Sequence, residues 1–445
     1  MMDTPICDFV RGYARGGALR LHMPGHKGAP LLGMEALDVT EIDGADSLYE
    51  ASGIIKKSEG NASALFGCPT LFSTEGSSQC IRAMCFLAML HARQTGRRPV
   101  IAAGRNAHKT FLSAAALLDI DVAWLVPDNP QGYLSCVLTA GELRARLEAM
   151  EEKPAAVYLT SPDYLGNRAD ISALARVCHA HGALLLVDNA HGAYLRFLTP
   201  SLHPMDLGAD LCCDSAHKTL PALTGAAYLH IAPQHSGLIA RAKDALAMFG
   251  STSPSYLILQ SLDAVNAYLA DGYRERLAAF AAQVKALKDR LTAHGYALTG
   301  DEPLKITIRT KPYGYTGRDY AAALLEKQIV CEFADPDFVV LMLTPETGED
   351  GLALLERAMA LIPRREVIDA APPAFHMPEK AMRIREAMLG ICETIPAMES
   401  EGRVLACPGV GCPPAVPIVV CGEKIDKDAL KCFAYYGMET CSVVI

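Results

Sequence analysis

Two neighbouring stretches, ALLLVDNAHGAYL (183–195) and ADLCCDSAHKTLPALTGAAYLHI (209–231), decide how this chain is read. The runs Leu184–Val187, Ala209–Cys213 and Ala226–Ile231 are apolar nearly throughout rather than alternating. A strand covered on both faces needs that pattern, and such strands belong to parallel sheets. Upstream, Val100–Ala103, Val122–Val126 and Ala155–Thr160 repeat it, with helical stretches such as Ala140–Glu151 and Ile171–His181 between the runs. Strand and helix in alternation predict an α/β fold with a mainly parallel sheet. Ligands of such sheets gather at the carboxyl ends of the strands, where the polar residues of both quoted stretches fall.

Around this centre the chain divides into an N-terminal arm (1–60), a large domain (61–265), a long helix with a small α/β domain (266–365) and a C-terminal domain (366–445). In the arm, His22–Gly28 is too rich in turn formers for a regular element. Tyr256–His294 reads as one long helix. Leu304–Thr310 and Val339–Thr344 read as strands around a helix at Tyr320–Lys327, and a further helix is expected over Met377–Ile395, after the linker Ala371–Ala374. No internal repeat or low-complexity segment interrupts this order.

The chain has 445 residues and a net charge of −9, with 51% hydrophobic and 20% charged residues. Without a basic arm or stripe, nucleic acid and anionic membrane are not expected partners. The apolar runs fall far short of the ~20 residues that span a bilayer. An early acid and the lack of an apolar core in Met1–Asp8 exclude a secretory signal, so the protein is expected in the cytoplasm with reduced thiols. The 15 cysteines include no CxxC pair. Their spacings match no ligand framework, so no metal is expected and they read as small buried hydrophobes.

Four local features carry chemistry. Lys218 follows an apolar strand in Asp214–Leu220, with Ser215, His217 and Thr219 as donors suited to a phosphate. Asp188 ends another strand, where a carboxylate needs a cation or hydrogen-bond donors. Gly76, Ser77 and Ser78 open an apolar helix, an arrangement that binds anions. His108 follows the strand at Val100–Ala103. Each alone has an ordinary structural reading, such as a helix cap or a solvated loop. Together they are the protein parts of a pyridoxal 5′-phosphate (PLP) site: phosphate cup, ring-facing histidine, acid for the ring nitrogen and cofactor-holding lysine.

On these residues the chain resembles the Orn/Lys/Arg decarboxylase family, in a short form lacking the wing domain. The matching stretches are LHMPGHKG (21–28), TEIDGADSLYEASGII (40–55), the region 71–78, RNAHKT (105–110), LTSPDYLG (159–166), VDNAHGAY (187–194), SAHKTLPALTGAAYLH (215–230) and TSPSYLILQSLD (252–263). KITIRT (305–310) and GRVLACPGVGCPPAVPIVVCGE (402–423) resemble the family's smaller domains. The resemblance implies a fold-type-I, aspartate-aminotransferase-like large domain. It also implies PLP on Lys218, with Ser215, His217, Gly76, Ser77 and Ser78 about its phosphate. Asp188 would pair with the ring nitrogen, His108 would stack on the ring, and His191 would support its edge. Thr252 and Ser253 would reach the phosphate in a neighbouring subunit, which implies a homodimer or higher homo-oligomer with shared sites.

The implied reaction is decarboxylation of an amino acid, a basic one such as arginine, lysine or ornithine, with His217, Lys218 or another acid returning the proton to Cα. Another fold-type-I reaction (an aminotransferase or lyase) and a non-catalytic PLP-fold protein are the alternatives. The chain departs from the family pattern at Glu75, where asparagine is common, and at Ala45–Leu48, where one acid is lost. It departs again at Cys407, Cys412 and Ala415, which replace Glu, Tyr and the glycine of Pro-Pro-Gly. With Cys407 in that place, Asp46, Asp163 or Glu332 is left to meet a distal cation of the substrate, or the substrate lacks one.

Overall fold

The computed structural model describes residues 2–409 and 414–445, so Cys412 lies outside the described residues. The first seven strands are β1 (Thr70–Ser73), β2 (Val100–Gly104), β3 (Asp121–Leu125), β4 (Ala156–Thr160), β5 (Leu184–Asp188), β6 (Leu211–Asp214) and β7 (Ala227–Ile231). They form one sheet in the order β1-β7-β6-β5-β4-β2-β3. β2 pairs in parallel with β3 and β4, as does β5 with β6. Every residue of β2, β5, β6 and β7 is buried, which accounts for their mainly apolar character, broken by Asp188, Asp214 and His230. The last run departs from the parallel expectation: β7 lies antiparallel to both β6 and β1. The connection 215–226 contains a four-residue helical turn, Ala216–Thr219, and no helix long enough for a parallel crossover.

The chain forms two compact units, residues 1–96 with 184–277 and residues 97–183 with 278–445. In the first, loop signals dominate residues 1–60, yet Pro5–Arg15 is a helix (α1) that opens with a proline. Its first amides lack intrahelical partners. Asp263, from the helix Tyr256–Ala270, supplies one: its Oδ2 accepts from the Ile6 and Cys7 amides at 2.9 and 3.0 Å. Its Oδ1 accepts from the Ser58 hydroxyl at 2.6 Å, tying in helix α2 (Ile54–Phe66). The helix expected over Tyr256–His294 is two, Tyr256–Ala270 and Tyr273–Ala293. They part at Gly272, which takes φ +63, a left-handed conformation that ends helices.

In the second unit, β8 (Ala297–Thr299), β9 (Lys305–Arg309), β10 (Phe333–Ala334) and β11 (Phe338–Met342) form an antiparallel sheet in the order β10-β11-β9-β8. The helix expected at Tyr320–Lys327 is present as Gly317–Leu325. The C-terminal sheet has β12 (Cys392–Pro396), β13 (Leu405–Cys407) and β14 (Thr440–Val444), with β14 central. The helix expected over Met377–Ile395 shrinks to Ile384–Leu389, because Cys392–Pro396 extends to pair with β14. Pairing with a distant strand overrides local helix propensity there. Arg105 and Glu423, 3.0 Å apart and both buried, fasten the segment after β2 to the C-terminal segment. Arg105 also donates to the carbonyls of Pro417 and Ile418. Among the described residues, no helix is long and apolar enough to cross a membrane.

Asp335 lies buried in this unit, its Oδ1 accepting from the amides of Asp337 and Phe338 at 2.7 Å each. Burial pushes its carboxyl up to about 6. The folded state therefore holds a proton that the unfolded chain releases near 4, and stability falls as pH rises from about 4 to 6. Asp335→Asn keeps the accepting oxygen without the charge. Urea titrations should show the variant gaining on the parent by about 2–3 kcal/mol between pH 4 and pH 7.

Candidate active site

The strongest sequence feature falls where β6 gives way to the turn Ala216–Thr219. Lys218 Nζ lies 3.0 Å from His191 Nε2 and donates to it. Ser215 Oγ donates to Ser77 Oγ at 2.8 Å, joining this turn to the start of helix α3 (Gly76–Gln94). His217 Nδ1 is 2.9 Å from the Ala226 carbonyl. A carbonyl only accepts, so Nδ1 carries the proton and Nε2 is the basic nitrogen of the neutral ring.

Asp188 closes β5, 2% exposed and level with Cys213 in the parallel register. It accepts from the Ala190 amide at 3.2 Å and from the Cys213 thiol at 3.7 Å. β5 and β6 thus place Asp188 beside the strand end that leads, four residues on, to Lys218.

At the start of α3, Gly76 takes φ +70, and a Cβ there would meet nothing within 4 Å. The first-turn amides of a 19-residue helix, with Ser77 and Ser78, face the positive end of its dipole. The turn is pinned from behind. Gly76 N–H donates to the Gly225 carbonyl at 2.8 Å, and Ser73 Oγ donates to the Gly76 carbonyl at 3.1 Å. Glu75, the departure from the family pattern, is exposed and accepts from the Ser251 amide at 3.3 Å, a backbone group rather than a basic side chain. Thr252 and Ser253 follow in the same exposed segment.

The remaining expected residues belong to the second unit. His108 caps helix α4 (Lys109–Leu118), its Nδ1 accepting from the Thr110 amide at 3.1 Å. Ala415 is buried with φ +55, and its carbonyl accepts from the Lys109 amide at 2.9 Å. Cys407 lies on β13 opposite Ser442, its thiol pushed up by burial.

Sequence reasoning left one cluster of the first unit unread. Asp214, fully buried, accepts from His203 Nε2 and His230 Nε2 at 3.0 Å each and from Asn189 Nδ2 at 2.6 Å. Burial raises its carboxyl, but the two imidazoles outweigh that and hold it well below the usual carboxylate range. Asp214 opens the motif that drew attention to Lys218. Its partners are ordinary residues locally, and their sequence neighbourhoods contain no signal of the contact.

Residues 4–296 match the family model described as the Orn/Lys/Arg decarboxylase major domain. The chain belongs to this family. Its fold is that of the fold-type-I PLP-dependent enzymes, with the mostly parallel sheet described above. The chain is 29% identical to the uncharacterized protein YaaO of Bacillus subtilis, over 97% of this chain and 93% of that one. It is also 29% identical to an arginine decarboxylase of Halalkalibacterium halodurans, over 96% and 92% of the two chains. Among solved structures, the lysine decarboxylase LdcF of Francisella novicida matches with a TM-score of 0.79 at 16% identity, over 99% of this chain and 81% of that one.

Gly225 packs closely behind the start of α3. It takes φ +97, and a Cβ would lie 3.0 Å from both the Thr74 carbonyl oxygen and Ile258 Cδ1. Gly225→Ala should lower the urea midpoint by an amount worth about 1–3 kcal/mol. It should also weaken anion binding at the start of α3, read as a smaller rise in melting temperature on adding inorganic phosphate.

Proposed function

We propose that this protein is a PLP-dependent decarboxylase of a basic amino acid (arginine, lysine or ornithine), releasing CO2 and the corresponding amine. The observation that carries the reading is the joint placement of Lys218 against His191, of Asp188 beside the strand leading to Lys218, and of Ser215 against Ser77. That donor set fits PLP: an amine for the aldehyde carbon, a buried acid for a ring nitrogen, and hydroxyls with helix amides for a phosphate. The open space over Gly76 leaves room for the phosphate.

When bound, PLP supplies a sink for the electron pair left as the Cα–carboxylate bond breaks. Asp188 keeps the ring nitrogen protonated, which its burial among apolar strands strengthens. Ser77, Ser78, Ser215 and the amides opening at Gly76 hold the phosphate. The family resemblance would give His108 the face of the ring, and His191 steadies Lys218. The proton returned to Cα would come from Lys218 Nζ, from His217 once its basic Nε2 has taken one up, or from another acid.

For the distal cation of the substrate, Glu332 is the carboxylate with an uncommitted oxygen. Asp46 is occupied by the amides of Ser47, Ser52, Gly53, Ile55 and Lys56, and Asp163 by Asn167 through both oxygens. Glu332 is exposed, and the Tyr164 hydroxyl donates to one oxygen at 2.8 Å.

The working form is a homodimer or higher homo-oligomer, in which Thr252 and Ser253 would meet the neighbour's phosphate. The exposed Leu19, Leu21, Leu31 and Leu32 support it, since a lone chain gains nothing from showing them to water. The free thiols of the described cysteines suit a reducing cytoplasm.

The purified protein, given PLP and a panel of arginine, lysine, ornithine and simpler amino acids, should release the amine and CO2 from a basic substrate by mass spectrometry. Asp188→Ala should lose several orders of magnitude in turnover. Keto-acid formation without CO2 would replace this reading with transamination, and near-normal turnover in Asp188→Ala would remove Asp188 from its role.

A further inference from the structure

The cluster around Asp214 takes no part in the chemistry above, yet it touches both strand ends that carry it. Two imidazole nitrogens and the buried carboxylate between them also resemble a metal site, so the protons decide its nature. The Met205 amide donates to His203 Nδ1 at 3.3 Å. In the neutral ring, His203 Nε2 therefore carries a hydrogen directed at Asp214. The Thr70 hydroxyl donates to the Cys68 carbonyl at 3.0 Å, so at 2.9 Å from His230 Nδ1 it accepts. His230 then donates through both nitrogens and is an imidazolium. Asp214 and His230 form a buried ion pair with His203 as a neutral third partner, and their lone pairs are not offered to a metal.

Asn189 links this pair to the reacting groups. Its amide nitrogen donates to Asp214 Oδ1 at 2.6 Å. Its Oδ1 lies so close to the next turn that a Cβ on Gly192 would come within 2.0 Å of it. Gly192 adjoins His191, whose Nε2 meets Lys218 Nζ at 3.0 Å. The path closes on itself: Asp214, Asn189, the turn at His191–Gly192, Lys218, and four residues of chain back to Asp214.

We propose that Asp214 and Asn189 are positioning residues for the proposed PLP site, fixing the turn that carries Lys218 against the strand end that carries Asp188. This rests on the reading of Lys218 and Asp188 as cofactor-holding residues. The test uses the full chain as wild type, Asp214→Asn and Asn189→Ala, loaded with PLP. Asn189→Ala leaves both histidine contacts of Asp214 in place, and it decides the matter even where Asp214→Asn does not fold. Borohydride reduction and peptide mass spectrometry of the wild type first ask whether PLP is attached at Lys218. No adduct there defeats the functional reading itself.

With the adduct present, Asn189→Ala should keep the wild-type far-ultraviolet circular dichroism. It should also bind PLP at least tenfold more weakly and alter the visible circular dichroism band of the bound cofactor, which reports its orientation. Unchanged PLP affinity together with an unchanged visible band would overturn the positioning role while leaving the functional reading intact. One equivalent of a divalent metal in the purified wild type, lost in Asp214→Asn, would overturn the hydrogen-bonded assignment.

Discussion

β5 and β6 end side by side within the protein, and each ends on an aspartate. A carboxylate withdrawn from water costs several kcal/mol unless donors or cations replace the lost hydration. Much of the first unit is arranged around that need. β7 lies next to β6 with His230 opposite Cys212, which brings an imidazole to Asp214. β1 lies beyond it with Thr70 opposite His230, and a hydroxyl meets the far nitrogen of the same ring. The short helix after His203 presents a second imidazole, and the residue after Asp188 supplies an amide. The order β1-β7-β6-β5 is thus also an order of donors, in which each strand satisfies a polar group of the next.

What could be read in advance follows from how local the causes are. The central strands were legible to within a residue or two, because a run buried on both faces must be apolar along its length. The placement of Lys218 and Asp188 was legible for the same reason, each lying where such a run turns polar. β1 and β12 were not, since each extends to satisfy a partner far along the chain. The break at Gly272 was hidden in a long helix-forming stretch that a glycine interrupts at a cost of about 1 kcal/mol. His203, His230 and Thr70 gave no warning of Asp214, because packing alone brings them to it.

The departures from the family pattern have separate physical accounts. Glu75 brings no charge to the start of α3 unopposed, since its carboxylate is turned to the Ser251 amide. Ala415 stands where the family has glycine, and its φ of +55 shows why glycine suits the place. A left-handed alanine costs roughly 1–2 kcal/mol. The burial of Ala415 and the bond from Lys109 to its carbonyl hold it there, next to the residue that caps α4.

Each compact unit is assembled from two separated lengths of chain, with residues 97–183 of the second lying between the halves of the first. On a ribosome this imposes a wait. Thr70 emerges long before His230, its partner in the β1–β7 ladder. At roughly 5–20 residues per second, β1 and the apolar face of α3 remain without their sheet for about 10–30 s. Synthesis of this chain therefore has a built-in interval in which holdase chaperones have most to bind, ending only once residue 231 has cleared the exit tunnel.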